Sequence, residues 1–378
     1  MALQNFKVAY SLTGLDYIDL TNVVSVSANV GRRAQLDQYN ASTAQVVLRY
    51  PTGYASPIAA LVTGTFIYIY NNSSRDVFKG RISNVDVKYG LPYVGGVGNA
   101  DYITLSVESA FAQLGRLQGL NYSMIADSIY NQMVYGYNET GLRMYWSQIN
   151  GGISGSGPQM AATTISGTWG DWINRCATTT NGRMQDAGGE AVTLLSPFSL
   201  PTSTINFSDT ANNATNQVYD QIEFNSLADN YYTQVTVTPE SFVSQTSLKS
   251  GAVKPYRTLQ TNTLNASTGQ AADYSKYLLS NYETPKFAIA SISCLSEAQT
   301  AFRLDRIGTN AGVPQMIGVS CTVSFRGTVY STIIEGVAVS ATPEGSRYTY
   351  YLSGADLNAY LLLNNTTYGR LDFNKLGY

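Results

Sequence analysis

Period-two alternation of apolar and polar side chains governs the first hundred residues. Val24, Val26, Ala28 and Val30 fall on one face of a strand, Ala44 to Tyr50 reads AQVVLRY, and Thr65 to Tyr70 reads TFIYIY. Val77 to Val87 (VFKGRISNVDV) and Tyr102 to Glu108 (YITLSVE) extend the series. Successive side chains leave a strand on opposite sides, so each of these segments is built to bury one face. Turn signals separate them: Pro51-Thr52-Gly53, Asn71 to Ser74, and the glycine-rich Gly90 to Gly98. Five such strands with no helical period among them predict an antiparallel barrel or sandwich over residues 1–115. Gly80, inside its strand, predicts a bulge or a tight bend.

The period changes after Phe111. Ile125, Ile129 and Met133 recur four apart, which predicts an amphipathic helix over Tyr122 to Tyr135 stopped by Gly136. A second helix is expected from Thr168, with Asp171 at the third helical position and Trp169, Trp172, Ile173 and Cys176 on one face before Gly182. Gly151 to Gly157 (GGISGSG) reads as a loop between them. Residues 116–205 are therefore expected to form a small mixed α/β insert.

Strand pattern returns at Tyr219 to Phe224, Tyr232 to Val237, Phe287 to Ile292, Gly318 to Phe325 and Thr332 to Val339, interrupted by a helix over Ala271 to Leu279. An internal echo links the halves: Val77-Phe78-Lys79-Gly80-Arg81-Ile82 resembles Ile333-Ile334-Glu335-Gly336-Val337-Ala338 in form. Each is followed by a tyrosine-bearing strand, Tyr102 to Leu105 in one and Tyr348 to Leu352 in the other. The expected architecture is mainly β: two similar antiparallel β-barrel domains, 1–115 and 206–352, flanking the α+β insert, with 353–378 as a tail.

The chain contains no histidine, which excludes Ser-His-Asp and Cys-His nucleophile arrangements, imidazole bases and His-containing zinc sites. Cys176, Cys294 and Cys321 are too few and too dispersed for a metal cluster. They read as three buried thiols, with a Cys294–Cys321 pair as the alternative. A net charge of -2 and only 13% charged residues leave no broad basic face for phosphates. The longest apolar runs, Ile58 to Val62 and Leu361 to Leu363, fall far short of the ~20 residues of a spanning helix. Residues 1–10 carry Lys7 and no apolar run of the signal-peptide kind, so assembly in a cytoplasm is the expectation.

A carboxylate-pair glycosidase remains as an alternative, with Asp171 and Glu190 or Asp220 and Glu223 as its candidates. Asp171 is better explained as a helix N-terminal residue, and Asp220 and Glu223 as opposite sides of one strand. The Asn71 to Asp76 stretch and Asp209 with Asn212 and Asn213 lack the spacing of an EF-hand loop and read as turns rather than calcium ligands. Tyrosine is abundant, at 29 residues; clusters such as Tyr348, Tyr350 and Tyr351 suit a core, a subunit interface or a carbohydrate-binding face. Trp146, in a loop-rich stretch, is the aromatic a glycan- or receptor-binding protein would use.

Two stretches carry a family resemblance. Gly31-Arg32, the strand Ala44 to Tyr50, Tyr54 to Pro57, Gly64 to Ile67, Phe78 to Val85 and Val107 to Leu114 together resemble the opening of tail-tip minor proteins of tailed bacteriophages. The ending is the more specific match: Leu361 to Asn364, Tyr368-Gly369-Arg370-Leu371-Asp372 and Asn374-Lys375-Leu376-Gly377-Tyr378. The resemblance implies a baseplate or tail-tip hub fold, with two tube-like domains per subunit and three subunits in a ring. Such a ring matches a sixfold tail tube above and a threefold tip below. The implied partners are two further copies of the chain, the tail tube or distal tail protein, the tape-measure protein and tip or fibre proteins, while DNA passes through the channel without specific binding. It implies a virion protein with no cofactor and no enzymatic activity; nothing matches the peptidase or lysozyme modules that some relatives append. The residues expected to matter for assembly are Tyr348, Tyr350, Tyr351, Leu371, Asp372, Leu376 and Tyr378, the last four on an arm, Asn364 to Tyr378, that packs onto a neighbour.

Overall fold

A computed structural model describes residues 3, 6–51, 60–71, 76–90, 100–147, 157–186, 191–197, 206–211, 213, 216–225, 231–284, 288–295 and 317–354. The alternating segments of the first third form β1 (Phe6–Ser11), β2 (Ile18–Asp19), β3 (Val23–Gly31), β4 (Thr43–Pro51), β5 (Phe66–Asn71), β6 (Asp76–Lys88) and β7 (Ala100–Glu108). Their order in the sheet is β3-β4-β7-β6-β5-β1-β2, antiparallel throughout. On β3 the inward face is Val23, Val26, Ala28 and Val30, with Val24 only half-buried. A register irregularity between Val23 and Ser25 moves Val23 inward in place of Val24, because one extra residue reverses the alternation on its far side.

A short helix that the alternation did not signal, α1 (Ala110–Arg116), precedes the expected insert, whose elements are β8 (Tyr122–Met124), β9 (Asp127–Ser128), α2 (Ile129–Thr140), β10 (Arg143–Ser147), β11 (Gln159–Met160), β12 (Thr163–Ile165), α3 (Trp169–Thr180), β13 (Arg183–Gln185) and β14 (Ala191–Leu195). The helix expected from Tyr122 begins instead at Ile129. Ser128 caps it, accepting from the Asn131 amide at 3.3 Å, while Tyr122–Met124 pairs with β12. Gly136 does not stop this helix. A Cβ there would lie 2.9 Å from the Met144 Sδ and 3.3 Å from the Trp172 ring, so the glycine lets α2 pack closely, and Gly141 at φ 72° ends it. Helix α3 carries the expected Thr168/Asp171 capping box, but its left-handed terminal residue is Asn181 rather than Gly182. Trp146, Trp169 and Trp172 fill the core beneath.

The remaining elements are β15 (Asn206–Ser208), β16 (Asn216–Val218), β17 (Gln221–Asn225), β18 (Gln234–Pro239), β19 (Gln245–Leu248), β20 (Thr258–Thr263), α4 (Thr268–Tyr282), β21 (Ala288–Leu295), β22 (Ser320–Phe325), β23 (Thr328–Thr342) and β24 (Gly345–Gly354). The strand expected at Tyr232 to Val237 does not join the large sheet. As β18 it lies between β19 and β20 in a three-stranded sheet of its own, covered by α4 through Ala271, Leu278 and Leu279.

The internal echo is a repeat of topology. In chain order β1, β3, β4, β5, β6 and β7 correspond to β15, β17, β21, β22, β23 and β24. The sheet order β3-β4-β7-β6-β5-β1 then reappears as β17-β21-β24-β23-β22-β15. One pairing differs: β1 runs antiparallel to β5, whereas β15 runs parallel to β22. Local hydrogen bonds fix the correspondence to the residue. Gly64 (φ 93°) donates to the Ile82 carbonyl at 2.8 Å and the Ile82 amide returns to Thr65 at 2.9 Å; Gly318 (φ 79°) donates to Ile334 at 2.7 Å and the Ile334 amide returns to Val319 at 3.0 Å. A register irregularity follows each, at Ser83 and at Glu335. Ile82 is thus the counterpart of Ile334, and Asn84 that of Gly336. The match of Gly80 with Gly336 suggested by the sequence is displaced by four residues, Thr332 being the true counterpart of Gly80. Gly80 also lies short of the bulge; a Cβ there would come 2.3 Å from the Glu108 carbonyl oxygen, so it serves a close backbone approach.

The two sets are fused through β23. The first half of its outer edge pairs with β22, and the second half pairs with β3, from Gly336 opposite Gly31 to Ala341 opposite Val26. Among the described residues the result is one continuous 14-stranded sheet. Among the described residues neither set closes on itself as a barrel, and both bury their inner faces in a common core.

Candidate functional site: a buried ionic junction

At the fusion point the strands approach so closely that side chains are excluded. A Cβ on Gly31 would lie 2.4 Å from the Glu335 carbonyl oxygen, and one on Gly336 2.3 Å from that of Arg32. Gly31 also holds φ 78°, which turns Arg32 back toward β23, where its amide donates to the Glu335 carbonyl at 3.0 Å. Glu335 is the bulged residue of β23, and the bulge aims its side chain inward rather than along the regular alternation.

The Glu335 carboxylate is fully enclosed and takes donors from three parts of the chain. Its Oε1 accepts from Arg183 Nε at 3.1 Å and Nη2 at 2.8 Å, and from Ser353 Oγ at 2.6 Å; its Oε2 accepts from Arg32 Nε at 2.9 Å. Arg183 belongs to the insert, Arg32 to the first strand set, and Glu335 with Ser353 to the second. Burial alone would raise the Glu335 carboxyl, but the Arg183 and Arg32 guanidinium groups outweigh it and hold it down at about 2. Arg32 in turn lies over the Tyr39 ring, 4.5 Å from its centroid.

A second buried carboxylate, Asp186, sits three residues beyond Arg183. It accepts from the Ser42 amide at 2.9 Å and from the Ser42 and Ser109 hydroxyls. Burial pushes its carboxyl up, against the pull of those donors. The segment between β3 and β4 completes the joint. Tyr39 and Asn174 exchange two hydrogen bonds of 3.1 Å, and the Tyr282 hydroxyl donates to Gln35 at 3.1 Å, which ties this segment to α3 and α4. Chemically the cluster is closed. Its acid is locked as a carboxylate by two cations and no solvent reaches it, so it suits holding modules in one arrangement rather than proton transfer.

The residues singled out from the sequence are dispersed. Tyr348 and Tyr350, 2% and 0% exposed, stack on each other inside the common core, Tyr348 against Phe6 and Tyr350 against Phe207. Tyr351 points the other way, half-buried beneath the Arg33 guanidinium. Leu371, Asp372, Leu376 and Tyr378 lie outside the described residues, as do Glu190, Asn212 and residues 72–75. Asp171 serves the α3 cap, Asp220 pairs with Arg347, and Glu223 accepts from Ser291. Trp146 is in the insert core, not on a loop. All three cysteines are free and buried. Among the described residues no three Cys, Asp or Glu side chains gather as a metal site, and no helix is long and apolar enough to cross a membrane. Arg32 and Glu335 each stood in a segment the sequence marked, Gly31-Arg32 and the echo at Ile333 to Ala338, but nothing local signals a pair 303 residues apart.

No protein-family model and no curated protein matches the sequence. Solved structures do. The 43 kDa tail protein of prophage MuSo2 from Shewanella oneidensis superposes with a TM-score of 0.64 at 10% identity, covering 94% of this chain and 100% of that one. The tail protein from Neisseria meningitidis MC58 gives 0.61 at 10% identity over 94% and 98%. Prophage tail protein gp18 from Listeria monocytogenes EGD-e gives 0.51 at 9% identity over 92% and 94%. The fold is that of phage tail proteins. Coverage of nearly the whole of both chains means that the shared fold includes the two strand sets and the insert together.

Proposed function

We propose that the chain is a structural hub of a phage tail tip or baseplate, three copies closing into a ring that continues the tail-tube channel. The observation that carries this reading is the repeated six-strand unit joined side by side through β23 and β3. Two like units per subunit turn three subunits into six positions, which is what a sixfold tube needs from a threefold tip. The tail-protein fold supports the reading, and the closed ionic junction supports it physically, because a ring under load during genome ejection needs each subunit to move as one body.

In this reading each strand set is a tube-like domain of the ring. The ring receives the tail tube or distal tail protein on one side, and the tape-measure and tip or fibre proteins on the other. A net charge of -2 suits a lumen through which DNA slides without binding. Tyr351 and the Asn364 to Tyr378 arm are proposed as contacts between subunits, whereas Tyr348 and Tyr350 act within the core. A non-enzymatic role fits the fates of the candidate acids and of Trp146, which serve caps, ion pairs and packing. Native mass spectrometry of the purified protein over a range of concentrations tests the reading: a species of three times the subunit mass is the expected result, and a monomer at every concentration counts against it.

A further inference from the structure

The single chain leaves two apolar surfaces uncovered, and the charges beside them are opposite. The first is the turn between β1 and β2, where Leu12, Leu15 and Ile18 are 68%, 83% and 58% exposed. The turn is held in place. The Thr13 and Gly14 amides donate to the buried Ser11 hydroxyl at 3.2 and 2.9 Å, and the Leu15 amide donates to Thr13 Oγ1 at 3.3 Å. Gly14, at φ 80°, packs so tightly that a Cβ there would lie 3.2 Å from the Phe66 ring. The leucines are therefore presented at little further entropy cost. Asp16 and Asp19 are exposed beside them, and no basic residue occurs from Val8 to Gly31.

The second surface is the open side of the small sheet. On one flank of β18, β20 leads into the insert, where the Leu264 amide donates to Thr179 Oγ1 at 2.8 Å. On the other flank lies β19, whose outer edge pairs with no described strand and whose residues, Gln245 to Leu248, include neither charge nor proline to guard it. Leu248 is 47% exposed and Val253, in the loop that follows, 81%. Lys249 and Arg257 lie over the Tyr231 ring at 5.4 and 5.6 Å, and Lys254 over Tyr256 at 5.9 Å. Among the described residues none of these three cations pairs with a carboxylate, and no acid occurs from Ser241 to Ala272.

We infer that the β1–β2 turn of one copy docks on the β19 side of the small sheet in the next, Leu12, Leu15 and Ile18 covering Leu248 and Val253 while Asp16 faces Lys249, Lys254 and Arg257. Both surfaces are exposed in the single chain, so they do not cover one another within it. A second copy supplies both halves of the match, apolar side chains to be covered and acids for the cations. The opposite charges guide the approach and exclude the reverse pairing of like surfaces. The contact uses different surfaces on the two copies, so it propagates head to tail and closes only as a ring. This deepens the ring reading above and rests on it.

Charge reversal tests it. Sedimentation velocity of the full chain over a range of concentrations should show D16K and K254E each weakening self-association about tenfold, and the double reversal D16K/K254E restoring it. Leu15→Asp should weaken it further than either single reversal. All three positions are exposed, so thermal melts of the variants should match the parent. Zero-length carbodiimide coupling gives an independent reading: an amide between Asp16 and Lys249 or Lys254 is expected in bands of two and three subunit masses on a denaturing gel. If the parent assembles but the substitutions leave assembly unchanged and no such amide forms, the docking is wrong and the ring reading stands. An amide confined to the single-subunit band also overturns the docking, since the two surfaces then meet within one chain. If the parent associates at no concentration, both readings are overturned.

Discussion

Arg183 donates two hydrogen bonds to Glu335, at 3.1 and 2.8 Å, across 152 residues of chain and with both side chains closed to solvent. This pair binds the insert to the second strand set, and Arg32 on the other carboxylate oxygen binds the first set to both. The chain's three parts thus share one carboxylate, which makes Glu335 the residue whose loss should be felt furthest.

Glu335→Gln keeps the volume but leaves two guanidinium groups buried without a countercharge. Breaking a buried pair in this way costs about 3–5 kcal/mol. Urea unfolding followed by tryptophan fluorescence should show the midpoint falling by that equivalent. A change under about 0.5 kcal/mol, the size expected of an unconnected surface position, would show that the junction does not hold the parts together.

Acid should act through the same group. Glu335 is held at about 2 against an ordinary 4.5, so the stability it contributes is fully present above the ordinary value. That contribution is lost as pH falls from there toward 2. Asp186, raised by burial, works in the opposite sense: its contribution is present at low pH and lost as pH rises through its raised value. Thermal melts across pH 2 to 7 should therefore show an acid limb that is shallower in E335Q than in the parent. Equal slopes would remove Glu335 from the acid response.

Two glycines offer a matched contrast. Gly336→Ala puts a methyl group 2.3 Å from the Arg32 carbonyl oxygen and is expected to destabilise by about 1–3 kcal/mol. Gly115→Ala, in the exposed end of α1 with open space around it, is expected to stabilise by about 0.5–1 kcal/mol. Denaturant midpoints moving in the same direction for both would contradict the close approach of β3 and β23.

The cysteines should be silent. Burial pushes the Cys321 thiol up to about 11 and raises Cys176 and Cys294 as well, and all three are enclosed. A thiol-reactive chromophore at pH 8 should label none in the native protein and three in urea. Rapid labelling of one cysteine without denaturant would mean that its core opens readily.

What the sequence revealed and what it hid follow from the range of the interactions. Strands such as β4 and β7 were legible because alternation is local, and α3 because Thr168 and Asp171 sit three apart. The start of α2 was misread because Ile125 keeps the helical spacing although Ser128, the capping residue, comes after it. The fate of Tyr232 to Val237 was hidden because a strand's pattern does not name its sheet. The echo found the right pair of strands but slipped by four residues, since Gly80 and Gly336 each answer a separate close backbone approach. Glu335 could not be recognised at all: a single acid in an apolar run becomes a junction only when a bulge turns it inward and arginines from two distant segments converge on it.

The central claim is that two copies of one strand unit per chain build a ring with six quasi-equivalent positions. Electron microscopy of the purified protein at high concentration, with class averages computed without imposed symmetry, tests it most directly. A threefold ring with six lobes around an open centre is the result predicted. Compact single particles, or rings whose lobes do not number twice the subunits, would contradict it.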